Sequence, residues 1–192
     1  MPKKLKITNP TKIATLANFI SLCRALLSIP IIYTLNNPGM EAVTFLLILL
    51  ATLSDALDGW VARKSNAVTY FGKWIDPMAD FICIVSVLGY LSLIGRFPGW
   101  FLIFYVIRHF IISISAIYFL NNSNFILSAN WWGKWSAGIT VFAIILYIWP
   151  WNAFPWLQEL ALTSSTFLLL VSWFIYTKTF FLEYRKLKDS NN

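Results

Sequence analysis

Four of the chain's eight acidic residues lie between positions 55 and 80, in two closely spaced pairs. Asp55 and Asp58 are three residues apart, and Asp76 and Asp80 are four apart. On a helix, either spacing places both side chains on one face, about one turn apart. Grouped carboxylates repel one another unless a cation neutralises them, and hard divalent cations such as Mg2+ or Mn2+ prefer oxygen ligands. The pairs therefore predict a metal centre, and four carboxylates favour two ions over one.

Small residues and an arginine follow the first acidic pair. Gly59 comes directly after Asp58, and a glycine in a helix is costly unless something approaches the backbone closely. Ala62, one turn after Asp58, has a small side chain that leaves room on the same helix face. The forked guanidinium of Arg63 suits a phosphate oxygen. This pattern predicts a metal site that holds a phosphorylated ligand. The alternative, in which the aspartates cap helix ends or pair with lysines in a solvated loop, leaves these small residues unexplained.

The helices that must position these residues are apolar. Of 192 residues, 58% are hydrophobic and only 12% are charged, far below the usual quarter. A membrane span needs roughly 20 apolar residues, and six stretches qualify. The composition predicts an all-α integral membrane protein that forms a single domain over residues 1–192. Its six transmembrane helices are expected at about 16–35, 42–62, 72–94, 99–120, 132–149 and 156–177.

Basic residues flank alternate ends of the predicted spans. They precede the first span and follow the second, fourth and sixth, whereas Arg96 is the only basic residue in the other loops. By the positive-inside rule, both termini and the acidic motif face the cytoplasm. The net charge is +7, and the basic residues that produce it lie beside the spans rather than in one soluble patch. It therefore favours contact with anionic membrane lipids over nucleic acid.

One stretch of the chain reads Asp55-x-x-Asp58-Gly59-x-x-Ala62-Arg63, then eight further residues, then Gly72-x-x-x-Asp76-x-x-x-Asp80. This stretch resembles the signature of the CDP-alcohol phosphatidyltransferase family. Every fixed position of that signature is filled. Members of the family are six-helix membrane proteins, usually homodimers, that carry the motif on the second and third helices. The resemblance implies a transferase of phospholipid biosynthesis that moves a phosphatidyl group from CDP-diacylglycerol to a small alcohol and releases CMP. It also implies two divalent cations as cofactors.

The resemblance assigns a role to each motif residue. Asp80 would be the catalytic base that deprotonates the acceptor hydroxyl. The metal ligands would be Asp55, Asp58 and Asp76, with Asp80 as a candidate fourth. The pocket for the CDP-lipid would be formed by Gly59, Ala62, Arg63 and Gly72. These roles fit the chemistry, because two cations can bridge a pyrophosphate and stabilise the charge on its leaving phosphate.

Residues outside the motif bear on the acceptor alcohol. Asn18-x-x-Ser21-x-x-Arg24 resembles a segment of the bacterial phosphatidylglycerophosphate synthases, a group within this family, so Asn18 and Arg24 are expected to support the site. Arg108 and Lys134 stand where that group carries basic residues associated with the acceptor phosphate. An arginine in an apolar run is expensive unless it meets an anion or a wet cavity. These residues favour glycerol 3-phosphate. The alternatives are that Arg108 pairs with an aspartate and that Lys134 reaches the membrane interface.

Three positions depart from the pattern of that group: Phe81 and Ser136 replace lysines, and His109 replaces a glutamate. They leave inositol phosphate, inositol, serine or another alcohol open as acceptors. A membrane cation transporter is a rival of a different class, although the fixed charge of Arg63 beside a cation path would be unfavourable. A catalytically silent assembly protein is a second rival, although all four aspartates are present.

Overall fold

The computed structural model describes residues 15–64, 70–123, 130–149 and 154–190. Within these residues the chain forms six helices and no strand, which confirms the predicted all-α fold. The helices are α1 Leu16–Leu35, α2 Glu41–Lys64, α3 Tyr70–Leu93, α4 Gly99–Ser123, α5 Trp131–Ile148 and α6 Pro155–Ser190. Their bounds follow the predicted spans closely, except that α6 continues thirteen residues beyond position 177.

Five of the helices are long and apolar enough to cross a membrane, namely α1, α3, α4, α5 and α6. In α2 the apolar segment found among the described residues is shorter, Glu41–Ser54. Large apolar side chains such as Phe19, Ile29, Leu46 and Phe110 are exposed on the helix surfaces, as lipid contact requires. The chain is a multi-pass membrane protein.

The chain divides into two compact units, with α1, α2 and α3 in the first. In this unit α1 packs against both other helices. Its apolar core contains Ile31, Ile48, Val87, Leu88 and Leu91. The turn between α1 and α2 contains Gly39 at φ 85°, a backbone conformation that residues with a side chain rarely adopt.

The second unit contains α4, α5 and α6. Here α5 packs along α6, and α4 also contacts α6. Ala143, Leu146 and Ala161 form a small apolar cluster between α5 and α6. Beside it, the buried hydroxyls of Thr140 and Ser165 lie 2.7 Å apart and share a hydrogen bond. Small side chains and paired hydroxyls are typical of helix contacts inside membranes, where the backbones approach closely.

Candidate active site

One face of α1 is polar and buried. Asn18, Ser21, Arg24 and Ser28 lie at intervals of three or four residues, and no more than 6% of any of them is exposed. Buried polar groups require hydrogen-bond partners. Several of the partners come from α2 and α3, the helices that carry the acidic motif. The α1 segment Asn18-x-x-Ser21-x-x-Arg24 therefore contacts the candidate site directly.

Both aspartates of α3 are held by this face. The Ser21 hydroxyl donates a hydrogen bond of 2.5 Å to Oδ1 of Asp76. One turn further along, Nη1 of Arg24 forms an ion pair with Oδ1 of Asp80. The Arg24 side chain is only 3% exposed, whereas that of Asp80 is 40% exposed. Arg24 thus contacts Asp80 from the protein interior, while the carboxylate remains partly accessible.

The same arginine also contacts α2. Its Nε donates a hydrogen bond of 3.0 Å to Oγ of Ser54, and the Ser54 hydroxyl donates one of 2.7 Å to the Ala51 carbonyl. Arg24 therefore connects α2 with α3. The sequence reasoning missed Ser54, because a serine in an apolar run has no distinguishing pattern. Its position directly before Asp55 was the only available signal.

The backbone places the remaining motif residues on helices as predicted. Asp55 and Asp58 lie one turn apart on α2, while Asp76 and Asp80 lie one turn apart on α3. The side chains of Asp55, Asp58, Ala62 and Arg63 lie outside the described part of the structure, as do the surroundings of Gly59 and Gly72. Among the described side chains no group of three or more metal-binding residues occurs. The donors that are described, the carboxylates of Asp76 and Asp80, are of the oxygen type that Mg2+ and Mn2+ prefer.

A second buried arginine lies in the unit formed by α4, α5 and α6. Arg108 on α4 is 4% exposed, and its guanidinium has three neutral partners. Nε donates to the Leu169 carbonyl at 3.2 Å, Nη2 to the Ser172 hydroxyl at 2.9 Å, and Nη1 to Nε2 of His109 at 3.3 Å. No acidic side chain that the structure describes pairs with it. The predicted alternative of an Arg108–Asp pair is therefore absent from the described residues.

His109 does not compensate the charge of Arg108. Its Nδ1 lies 2.8 Å from the Tyr105 carbonyl, a group that only accepts hydrogen bonds, so Nδ1 carries a proton. Nε2 must then be unprotonated to accept from Arg108. This arrangement requires a neutral imidazole. The three partners satisfy N–H groups of Arg108, but no side chain that the structure describes balances its positive charge, which is costly in a low-dielectric interior unless an anion binds.

Ser172 joins Arg108 to the start of α5. Its hydroxyl donates to Oδ1 of Asn130 at 3.1 Å, and the same oxygen caps α5 by accepting from the Gly133 N–H at 2.5 Å. A Cβ on residue 133 would lie 2.9 Å from that oxygen and 3.2 Å from the Ser172 hydroxyl, so a larger residue would have to displace the Asn130 side chain that caps α5. Lys134 follows and is exposed, a position compatible with either of its two predicted roles.

One departure from the expected pattern has a local explanation. Ser136 is 1% exposed, and its hydroxyl donates to the Gly133 carbonyl at 2.8 Å. A lysine at this position would have to bury its charge or displace the neighbouring helix. Ser136 therefore helps to pack the start of α5 and does not extend the basic group.

Comparison with known proteins agrees with the acidic motif. A sequence model described as CDP-alcohol phosphatidyltransferase matches residues 14–178. A Bacillus subtilis protein named CDP-diacylglycerol--glycerol-3-phosphate 3-phosphatidyltransferase is 33% identical over 152 residues, which cover 76% of each chain. A Mycoplasma genitalium protein of the same name is 35% identical over 66% of this chain, and the match covers 52% of that relative, about half its length. A Mycobacterium tuberculosis protein named probable phosphatidylglycerophosphate synthase is 27% identical over 78% of this chain and 73% of its own.

Proposed function

This chain belongs to the CDP-alcohol phosphatidyltransferase family, and we propose that it transfers the phosphatidyl group of CDP-diacylglycerol to glycerol 3-phosphate with release of CMP. The observation that carries the choice of acceptor is the buried Arg108, which has no acidic partner among the described side chains. A phosphorylated alcohol would supply the missing negative charge. The relatives from Bacillus subtilis and Mycoplasma genitalium bear names that specify glycerol 3-phosphate.

We further propose two divalent cations, Mg2+ or Mn2+, held by carboxylates of Asp55, Asp58, Asp76 and Asp80. Bound there, they would neutralise the pyrophosphate and stabilise the departing CMP. The support from the described residues is chemical and positional. Asp76 and Asp80 supply oxygen donors one turn apart on α3, and α1 holds both of them in place.

The reaction itself needs a base and an aligned acceptor. In the proposed mechanism Asp80 accepts the proton of the acceptor hydroxyl, whose oxygen then forms a bond to the phosphorus of the phosphatidyl group. The bond between that phosphorus and the CMP oxygen breaks in line with the attack. Asp80 suits this role because its side chain is partly exposed. Gly59, Ala62, Arg63 and Gly72 are proposed to line the pocket for the CDP-lipid.

Arg108 and Lys134 are proposed to bind the acceptor phosphate. Arg108 would use charge-assisted hydrogen bonds in a buried setting, where such bonds are strong. Lys134 is exposed in the first turn of α5 and would add a mobile charge. The retained alternatives within the family are inositol phosphate, inositol, serine or another alcohol. Of these, inositol phosphate shares the charge argument with glycerol 3-phosphate.

A CMP-release assay tests the reaction and the acceptor together. Purified protein in detergent, with CDP-diacylglycerol and Mg2+, is expected to release CMP when glycerol 3-phosphate is added, and to stop when EDTA removes the metal. Activity should return with Mg2+ or Mn2+. Parallel reactions contain inositol phosphate, inositol or serine. Release with one of these instead would reassign the acceptor, while cation flux in liposomes without CMP release would support the transporter rival.

The proposed orientation in the cytoplasmic membrane places both termini and the acidic motif in the cytoplasm. The supporting observation is that Lys178, Arg185 and Lys188 follow the sixth span, whereas Arg96 is alone in its loop. We expect a membrane-impermeant maleimide to label Arg96→Cys in intact cells but to label Lys188→Cys only after lysis. The parent would lack Cys23 and Cys83, and the reverse labelling pattern would contradict the orientation.

We also propose that the chain acts as one domain and forms homodimers, as the family resemblance implies. The family match from residue 14 to residue 178 runs through both compact units and supports the single domain. Light scattering of the protein in detergent would measure the mass of the assembly. A mass of one chain would contradict the dimer.

A further inference from the structure

Ser54 occupies an unusual place beside the acidic motif. It is a buried serine on α2, and the next residue is Asp55. Its hydroxyl hydrogen is used within α2, in the bond to the Ala51 carbonyl. Its lone pairs face α1, where they accept from Nε of Arg24. Ser54 is therefore fixed within its own helix and contacts the arginine that is paired with Asp80.

The geometry of arginine explains why this contact matters. A guanidinium is planar and rigid, so fixing the direction of Nε also fixes the directions of both Nη atoms. In Arg24, Nε points to Ser54 on α2 and Nη1 points to Asp80 on α3. The hydrogen bond to Ser54 thus constrains the plane in which the Arg24 guanidinium contacts the Asp80 carboxylate.

From these contacts we propose that Ser54 is a positioning residue, which orients the Asp80 carboxylate by holding the guanidinium of Arg24. The inference rests on the proposed function of Asp80 as base and metal ligand. It links the helix that carries Asp55 and Asp58 to the orientation of a carboxylate on the neighbouring helix. Small errors in the placement of a reacting group can cost about 100-fold in rate.

The first test compares two substitutions on α2. Ser54→Ala is expected to lower kcat for CMP release by about 10- to 100-fold, as the loss of a hydrogen bond to a charged group would. Thr52→Ala is the matched control. The Thr52 hydroxyl also bonds within the helix, to the Ile48 carbonyl at 2.9 Å, but its side chain is exposed. This control should retain wild-type kcat.

The second test asks whether Ser54 acts through Arg24. Lysine at position 24 keeps the positive charge but has no donor equivalent to Nε. In an Arg24→Lys background, Ser54→Ala should therefore change kcat by less than about twofold, because interacting residues are not additive. An equal loss in both backgrounds would overturn the proposal. If Ser54→Ala does not fold, Ser54→Cys provides the same cycle, since a thiol is a similar size but a weak acceptor.

Mn2+ affinity provides a readout that is independent of turnover. Electron paramagnetic resonance of free Mn2+ should show weaker binding in Ser54→Ala and no further loss when it is added to Arg24→Lys. Wild-type protein that binds Mn2+ but releases no CMP with any acceptor would contradict the proposed function. The Mn2+ affinities of Ser54→Ala, Arg24→Lys and the double variant would then decide whether Ser54 is a positioning residue. Unchanged kcat and unchanged Mn2+ affinity in Ser54→Ala would overturn the positioning role of Ser54. Wild-type protein that shows neither activity nor Mn2+ binding would overturn both.

Discussion

Asp80→Asn is expected to reduce the rate of CMP release by about 1,000-fold or more. The substitution removes the proposed proton acceptor, a contribution of about 100- to 10,000-fold in general base catalysis, and also removes a candidate metal ligand. The amide keeps the shape of the carboxylate and can still accept a hydrogen bond from Arg24. Loss of activity should therefore not depend on loss of the fold. The measurement is initial CMP release at saturating concentrations of both substrates.

Two comparisons make this result specific. Asp189→Asn makes the same chemical change at an exposed position near the end of α6 and should leave the rate unchanged. Thermal unfolding in detergent should show some destabilisation of Asp80→Asn, because the buried Arg24 loses its ion pair with Asp80. A folded Asp80→Asn protein that retains more than about a tenth of wild-type activity would contradict the assignment of Asp80 as the base.

Arg108→Met is expected to raise the KM for glycerol 3-phosphate by about 100-fold while leaving the KM for CDP-diacylglycerol within about threefold. Methionine is long and unbranched, so it fills much of the space of the arginine stem but offers neither charge nor donors. Charge-assisted hydrogen bonds contribute about 1.5 to 3 kcal/mol each, and the bound phosphate would lose at least one. Steady-state kinetics with each substrate varied in turn measure the two constants separately.

The melting temperature of Arg108→Met should stay close to that of the wild-type protein. Arg108→Met loses three hydrogen bonds but also removes a buried charge that no described acidic side chain balances, so the two effects should offset and the melting temperature should not fall much. Arg96→Met is the matched control, because Arg96 is exposed in the turn between α3 and α4. An unchanged KM for glycerol 3-phosphate in a folded Arg108→Met protein would contradict the proposed phosphate site.

Much of the architecture was predictable because it depends on local sequence. A membrane helix must contain a run of apolar residues of sufficient length, so the lengths of those runs located all six helices. The predicted sixth span ends at position 177, before the charge of Lys178, whereas the helix α6 extends beyond it. The helix continues to Ser190, since no glycine or proline follows to interrupt it.

The spacing of the acidic motif likewise predicted the family and placed each pair of aspartates one turn apart on its helix, because helical periodicity relates sequence spacing directly to direction. Only the tertiary structure decided which groups contact the residues of the candidate sites. Arg24 contacts Ser54 and Asp80 at separations of 30 and 56 residues, and Arg108 contacts Leu169 and Ser172 at 61 and 64. Such partners depend on how each helix is rotated about its axis and packed against its neighbours. That rotation results from the fit of whole helix surfaces, which local spacing does not encode.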